Sequence, residues 1–172
     1  MTCASGPTSN ASPINTNGTF TPELDRAMMA RALALAAHAQ RLGEVPIAAV
    51  VYDATGRVVF EAHNRRELDH DPTGHAEVLA IRGAARAIGS WRLEGLCLCV
   101  TLEPCAMCAG AIVLARLPRV VFGAHDPKAG ACGSLLRLTE DARLNHRVTP
   151  ITGVLGDECS AQLRAFFQSL RS

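Results

Sequence analysis

The chain has 172 residues, of which 48% are hydrophobic and 19% charged, with a formal net charge of +1 at pH 7. That length and apolar share suit one domain with one sizeable core, while the near-neutral balance alone says little about partners. No run approaches the roughly 18 apolar residues of a membrane span, and the first residues lack the basic start and apolar middle of a secretory leader; a cytoplasmic protein with no membrane partner is expected.

Residues 1–20 are dominated by Ser, Thr, Asn, Pro and Gly. Such a segment cannot bury enough surface to offset its ordering entropy, so it reads as a disordered polar tail, with the folded domain at 21–172. Thr21-Pro22-Glu23 is a helix start. Apolar residues then recur at Leu24, Met28, Leu35, Ala39 and Leu42 before Gly43 stops the pattern. The apolar runs Val45 to Tyr52 and Val58 to Ala62, joined through Asp53-Ala54-Thr55-Gly56, predict a hairpin. A polar loop from Asn64 to Thr73 leads to a second helix, Gly74 to Ile88, with Thr73 or Asp71 as its cap and Gly89 as its stop.

Leu96 to Thr101 is strand-like, Pro104 opens a third helix reaching about Arg116, and Leu117-Pro118 ends it. A strand at Val120 to Ala124, a Gly-rich loop from His125 to Ser134 and a last helix follow. On that helix Cys159, Leu163, Phe166, Phe167 and Leu170 share one stripe; the two phenylalanines suit base stacking, although such a stripe is more often core. Strands alternating with helices after an opening hairpin predict an α/β domain whose mixed sheet is covered on both faces.

Seven cysteines, an odd number in a chain with no export signal, favour reduced thiols and a metal site over a disulfide framework. Two segments concentrate the chemistry: His75-Ala76-Glu77 and Pro104-Cys105-Ala106-Met107-Cys108, each at a predicted helix start. Cysteines three apart on a helix project from one face and can grip one ion, and a helix N-terminus favours their thiolate form. Three protein ligands leave tetrahedral zinc one position for water, which the metal acidifies. Glu77 is then placed to move protons without binding the metal. Together these residues form the known His-x-Glu and Pro-Cys-x-x-Cys signature of zinc base deaminases. Taken singly they have plainer readings: a capping histidine, a structural zinc knuckle or a redox cysteine pair. Cys97 and Cys99 read as core, and Cys3, Cys132 and Cys159 as incidental. The net charge is −2 before Ala115 and +3 from there on, which suits either a nucleic-acid face or ordinary solvated charge.

From about Glu23 to Leu170 the sequence resembles the bacterial tRNA-specific adenosine deaminases of the cytidine deaminase superfamily. The resemblance is carried by Glu44-Val45-Pro46-Ile47, Asn64-Arg65, His70 to Glu77, Thr101 to Gly110, Val120 to Ala124, Lys128-Ala129-Gly130, Gly133-Ser134-Leu135, Asn145 to Val148 and Asp157-Glu158-Cys159. It implies a three-layer α/β/α cytidine deaminase-like fold with a five-stranded mixed sheet, a homodimer, and one Zn2+ per subunit held by His75, Cys105 and Cys108. It also implies conversion of adenosine to inosine at wobble position 34 of a tRNA, an arginine tRNA with an ACG anticodon being the expected substrate. By the same analogy Asn64 hydrogen-bonds the base, Val45 and Pro46 line its pocket, and Asp126 and Lys128 contact the anticodon loop. The sequence departs from that pattern at Arg66, where many relatives carry proline. Alternatives left open are deamination of guanine or another free base or nucleoside, a silent zinc-containing RNA-binding subunit, and a structural zinc module completed by Cys132 or His125.

Overall fold

The computed structural model describes residues 18–171. Most of the expected tail therefore lies outside the described residues. Of its end, Phe20 packs edge-on against Tyr52, ring centroids 5.8 Å apart, beneath the Arg119 guanidinium.

The first helix, α1 (Pro22–Arg41), starts where Thr21 accepts the Leu24 N–H and proline fills the first turn. Its buried stripe is Asp25, Met29, Ala32, Ala36 and Ala39; Ala39 is shared with the expected stripe, Leu24, Met28 and Leu35 are half-buried, and Leu42 is exposed. The reason is steric and electrostatic. Alanines let the helix approach the sheet closely, and Asp25 is neutralised in place by Tyr52 Oη, 2.9 Å away, and by Arg119.

The hairpin forms as β1 (Ala48–Asp53) and β2 (Val58–His63), followed by a single helical turn α2 (Arg66–Asp69) inside the segment expected to be loop. Strand β1 begins three residues later than its apolar run. Val45, Pro46 and Ile47 instead make a tight turn closed by the Ile47 N–H on the Val45 carbonyl at 2.7 Å. Then come α3 (Ala76–Ile88), β3 (Leu96–Leu102), α4 (Ala106–Leu114), β4 (Arg119–Ala124), β5 (Ile151–Thr152) and α5 (Gly156–Ser169). Helix α3 ends at Gly89, which takes the left-handed conformation (φ 70°) that a side chain would strain. Its N-cap is His75 rather than Thr73 or Asp71; the Asp71 carboxylate instead closes a turn on Thr73.

The sheet order is β2-β1-β3-β4-β5, antiparallel across the first three strands and parallel from β3 to β5. Alternate side chains build two cores. Ala49, Val51, Leu98, Val100, Val120 and Phe122 pack under α3 and α4. Val50, Tyr52, Cys97, Cys99 and Val121 pack under α1 and α5 with Met29 and Cys159. The α/β fold with a five-stranded mixed sheet is thus the one expected, and Cys159 is a core residue rather than an incidental one. No helix among the described residues is long and apolar enough to cross a membrane.

This topology gathers four connections at one end of the sheet. Because β1 runs against β3 (Ala49 beside Val100), the start of β1 lies beside the end of β3. His63 beside Ala48 brings the end of β2 there too, and the parallel β3–β4 pair adds the end of β4. Ligands of open α/β sheets bind beyond the carboxyl ends of parallel strands, and that is where the chemistry-bearing segments meet.

Candidate metal centre and active site

His75 and Cys105 each occupy the N-cap position of a helix, and Cys108 lies in the first turn of α4. Helix α4 therefore opens at Ala106, two residues after the expected Pro104. His75 Nδ1 lies 3.7 Å from Cys105 Sγ and 3.5 Å from Cys108 Sγ, and the two sulfurs are 3.7 Å apart. A tetrahedral zinc with bonds of roughly 2.3 Å to sulfur and 2.0 Å to nitrogen has edges of about 3.8 Å between sulfurs and about 3.5 Å between sulfur and nitrogen. The donor set and its spacing fit zinc. Among the described residues this is the one His/Cys/Asp/Glu cluster able to hold a metal.

Neither residue considered as a fourth ligand belongs to it. Cys132 is buried in the core beneath α3 and α4, and His125 turns to Phe122 and Ser134. Without a metal, hydrogen bonds from Cys108 and His75 bring the Cys105 thiol down to about 3, so one ligand is held as thiolate at a helix N-terminus. Glu77, two residues into the same α3 terminus, is only 4% exposed, and burial raises its pKa above the ordinary carboxylate range.

His75, Glu77 and Cys105 form one wall of a cavity of about 620 Å³, with Cys108 buried behind them. Its lining includes Val45, Ile47, Asn64, Arg66, Glu103 and, from the last helix, Arg164 and Phe167. A model of the cytidine and deoxycytidylate deaminase zinc-binding region matches residues 22–124, and the cavity is built mostly from that stretch.

The chain belongs to that deaminase family.

A tRNA-specific adenosine deaminase of Bacillus subtilis is 49% identical over 86% of this chain and 91% of its own length. Another, from Haemophilus influenzae, is 46% identical over 87% and 86%. A solved structure from studies of A-to-I editing by tRNA:A34 deaminases at the wobble position superposes with a TM-score of 0.75, at 41% identity over 79% of this chain and 98% of that one.

In this deaminase the residues expected to meet substrate are mostly at the cavity. Asn64 and Val45 line it, as do Asp126 and Lys128 at its mouth, whereas Pro46 is buried behind the turn it shapes and is not among the lining residues. The Asp126 carboxylate is occupied by the backbone N–H groups of Lys128 and Ala129, which makes it the builder of its own turn. The loop carrying both hangs on Glu103. That buried carboxylate accepts the N–H groups of Asp126 (3.1 Å), Cys132 (3.1 Å) and Ser134 (2.9 Å) together with the Ser134 hydroxyl. Burial alone would raise its pKa, but the bonds from Ser134, Asp126 and Cys132 outweigh it and hold the group charged.

Sequence patterning gives Arg66, Glu103 and Arg164 no site role, and it leaves Phe167 between a stacking face and a core position. Phe166 is indeed buried at 6%, but Phe167 is 46% exposed and faces the cavity. The signal available was the adjacency itself: two neighbours on a helix point about 100° apart, so a one-sided helix cannot bury both.

Proposed function

We propose that this deaminase converts adenosine to inosine at the wobble position of tRNA by hydrolysis, with one Zn2+ per subunit held by His75, Cys105 and Cys108. The observation that carries the reading is the joining of the N/S/S cluster and buried Glu77 to a cavity flanked by Arg66, Lys128 and Arg164, none of which forms an ion pair among the described residues. A flipped-out base needs the cavity, and its flanking phosphates need the cations.

Bound zinc supplies the Lewis acidity that makes water nucleophilic at neutral pH. Glu77 accepts a proton as water adds to C6 of adenine, then returns protons to the ring nitrogen and the departing amine, so that inosine and ammonia are the products. Asn64 holds the base edge, Val45 and Ile47 give it an apolar wall, and exposed Phe167 offers a stacking face. Asp126 and Lys128 shape the mouth, Asp126 through its turn and Lys128 by its charge.

We further propose a cytoplasmic homodimer. Helix α4 is apolar on nearly every side, yet Leu114 is 70% exposed, with Leu135 (59%), Leu136 (49%) and Met107 (37%) also open. A second copy covering these residues accounts for them. Light scattering reads the mass; a monomer at micromolar concentration sinks the dimer.

The decisive experiment incubates zinc-loaded protein with an arginine tRNA transcript bearing an ACG anticodon and reads inosine as an A-to-G change. Guanine, adenosine and cytidine run alongside, scored by ammonia release. Inosine confined to the wobble position supports the reading. Ammonia from guanine with untouched tRNA overturns the substrate while leaving the chemistry.

A further inference from the structure

Besides Glu77, two buried carboxylates beside the cavity gather hydrogen bonds, Glu103 and Glu44. Glu103 serves a loop; Glu44 is bonded to the pocket amide itself. It is fully buried in the turn between α1 and β1, where its backbone N–H reaches the Ala39 carbonyl at 3.1 Å. Its Oε2 accepts from Asn64 Nδ2 at 2.8 Å. Its Oε1 accepts the Leu68 N–H at 2.8 Å, one of the N–H groups that the short helix α2 cannot satisfy internally. The other end of the pair is equally fixed, since the Asn64 backbone N–H continues the strand ladder to the Ile47 carbonyl at 2.9 Å.

A carboxylate only accepts hydrogen bonds, so the nitrogen end of the amide must face Glu44. The oxygen end is then turned away from it, and no described residue donates to Asn64 Oδ1. We propose that Glu44 is a positioning residue that fixes the orientation of the Asn64 amide, and so selects a base edge carrying a donor beside an acceptor. This rests on the base-deaminase reading above. An adenine edge offers that pattern, its exocyclic amine donating to Oδ1 and a ring nitrogen accepting the second amide N–H. A carbonyl in place of the amine, as in the deaminated product, would set lone pair against lone pair.

The test exploits the Leu68 N–H. In Glu44→Gln that N–H still requires an acceptor, so the introduced amide directs its oxygen to Leu68 and its nitrogen to Asn64. Asn64 must then rotate, sending its own NH2 into the pocket. Adding Asn64→Asp puts oxygen on both sides again. With zinc content and Tm recorded for each variant, Glu44→Gln should lower kcat/KM on the tRNA roughly 100-fold, and Glu44→Gln/Asn64→Asp should regain about tenfold of that. Asn64→Asp alone, which sets two carboxylates against each other, should fall below the double variant. A purely structural role predicts additive losses with no recovery. Additive losses, or a Glu44→Gln enzyme within about twofold of wild type, overturn the proposal.

Exchange of the Asn64 side-chain amide protons, read by NMR on substrate-free protein, is independent of the reaction. Wild type should protect one proton, and Glu44→Gln should expose both; an unprotected wild-type amide overturns the inference. Inactive wild-type protein with that proton protected would instead count against the proposed substrate alone.

Discussion

Gly130 lies against the carboxyl group of Glu103: a Cβ at residue 130 would stand 2.4 Å from Glu103 Cδ and 2.6 Å from the Asp126 carbonyl oxygen. The contact joins the 126–134 loop to the wall that carries Cys105, because Gly130 also bridges to Cys105, and the Ala131 N–H bonds to the Pro104 carbonyl at 2.8 Å. Gly130→Ala should therefore displace the Glu103 carboxylate and cost about 1–3 kcal/mol. The measurement is paired: thermal unfolding, and KM for tRNA. A lowered Tm with KM raised more than kcat is reduced is expected; an unchanged KM would mean that the loop does not meet RNA.

Removing a metal ligand should empty the site. Cys105→Ser or His75→Ala is expected to lose bound zinc by mass spectrometry and with it nearly all activity, whereas Cys132→Ser should keep the metal, its thiol lying in the core. Zinc lost equally from Cys132→Ser would restore the four-ligand structural reading.

Glu77→Ala should retain zinc while kcat falls by about 10²–10⁴, the usual contribution of a positioned acid–base group. An active Glu77→Ala enzyme would remove Glu77 from the proton path.

Phe167→Ala should weaken RNA binding with little change in Tm, since the ring is half exposed. The loss of one stacking face is worth about 1–3 kcal/mol, seen in KM rather than kcat. An effect confined to Tm would make the ring a packing element after all.

Acid sensitivity follows from Asp53, which closes the β1–β2 hairpin. Burial by itself would raise its pKa, but bonds from Thr55 and Arg57 prevail and hold it below its ordinary range. A carboxyl depressed on folding contributes stability that is present above its unfolded pKa of about 3.9 and disappears as pH falls through the folded value. Asp53→Asn should thus lower stability at neutral pH, with the gap to wild type narrowing below about pH 4. A gap constant from pH 7 to pH 3 would refute this assignment.

Much of the site was legible because its residues declare their chemistry by type and spacing: His75, Glu77, Cys105 and Cys108 need only two helix starts brought together. The fold was legible in the long apolar runs that became β1, β3 and β4. A fifth strand was implied by the resemblance but its place was not legible, since Ile151–Thr152 is too short to show a period and is recruited by pairing with Val121 and Phe122. The α1 stripe was legible at Ala39 but not at Ala32 and Ala36, because large apolar residues mark a stripe in a sequence whereas the close helix–sheet contact selects small ones. Glu44 and Glu103 stand in stretches that carry the family resemblance, but what their carboxylates hold was not legible there. Single carboxylates far in sequence from Leu68 and Ser134 become meaningful only when the chain brings those N–H groups to them.

Lys128, at the cavity mouth, is the single lysine of the chain, every other fixed cation being arginine. The protein therefore carries one side-chain ammonium for a reagent to find, and it stands at the entrance. Acylation of that amine should be hindered in proportion to how fully the entrance is filled, which gives this fold a built-in occupancy gauge that depends on no turnover.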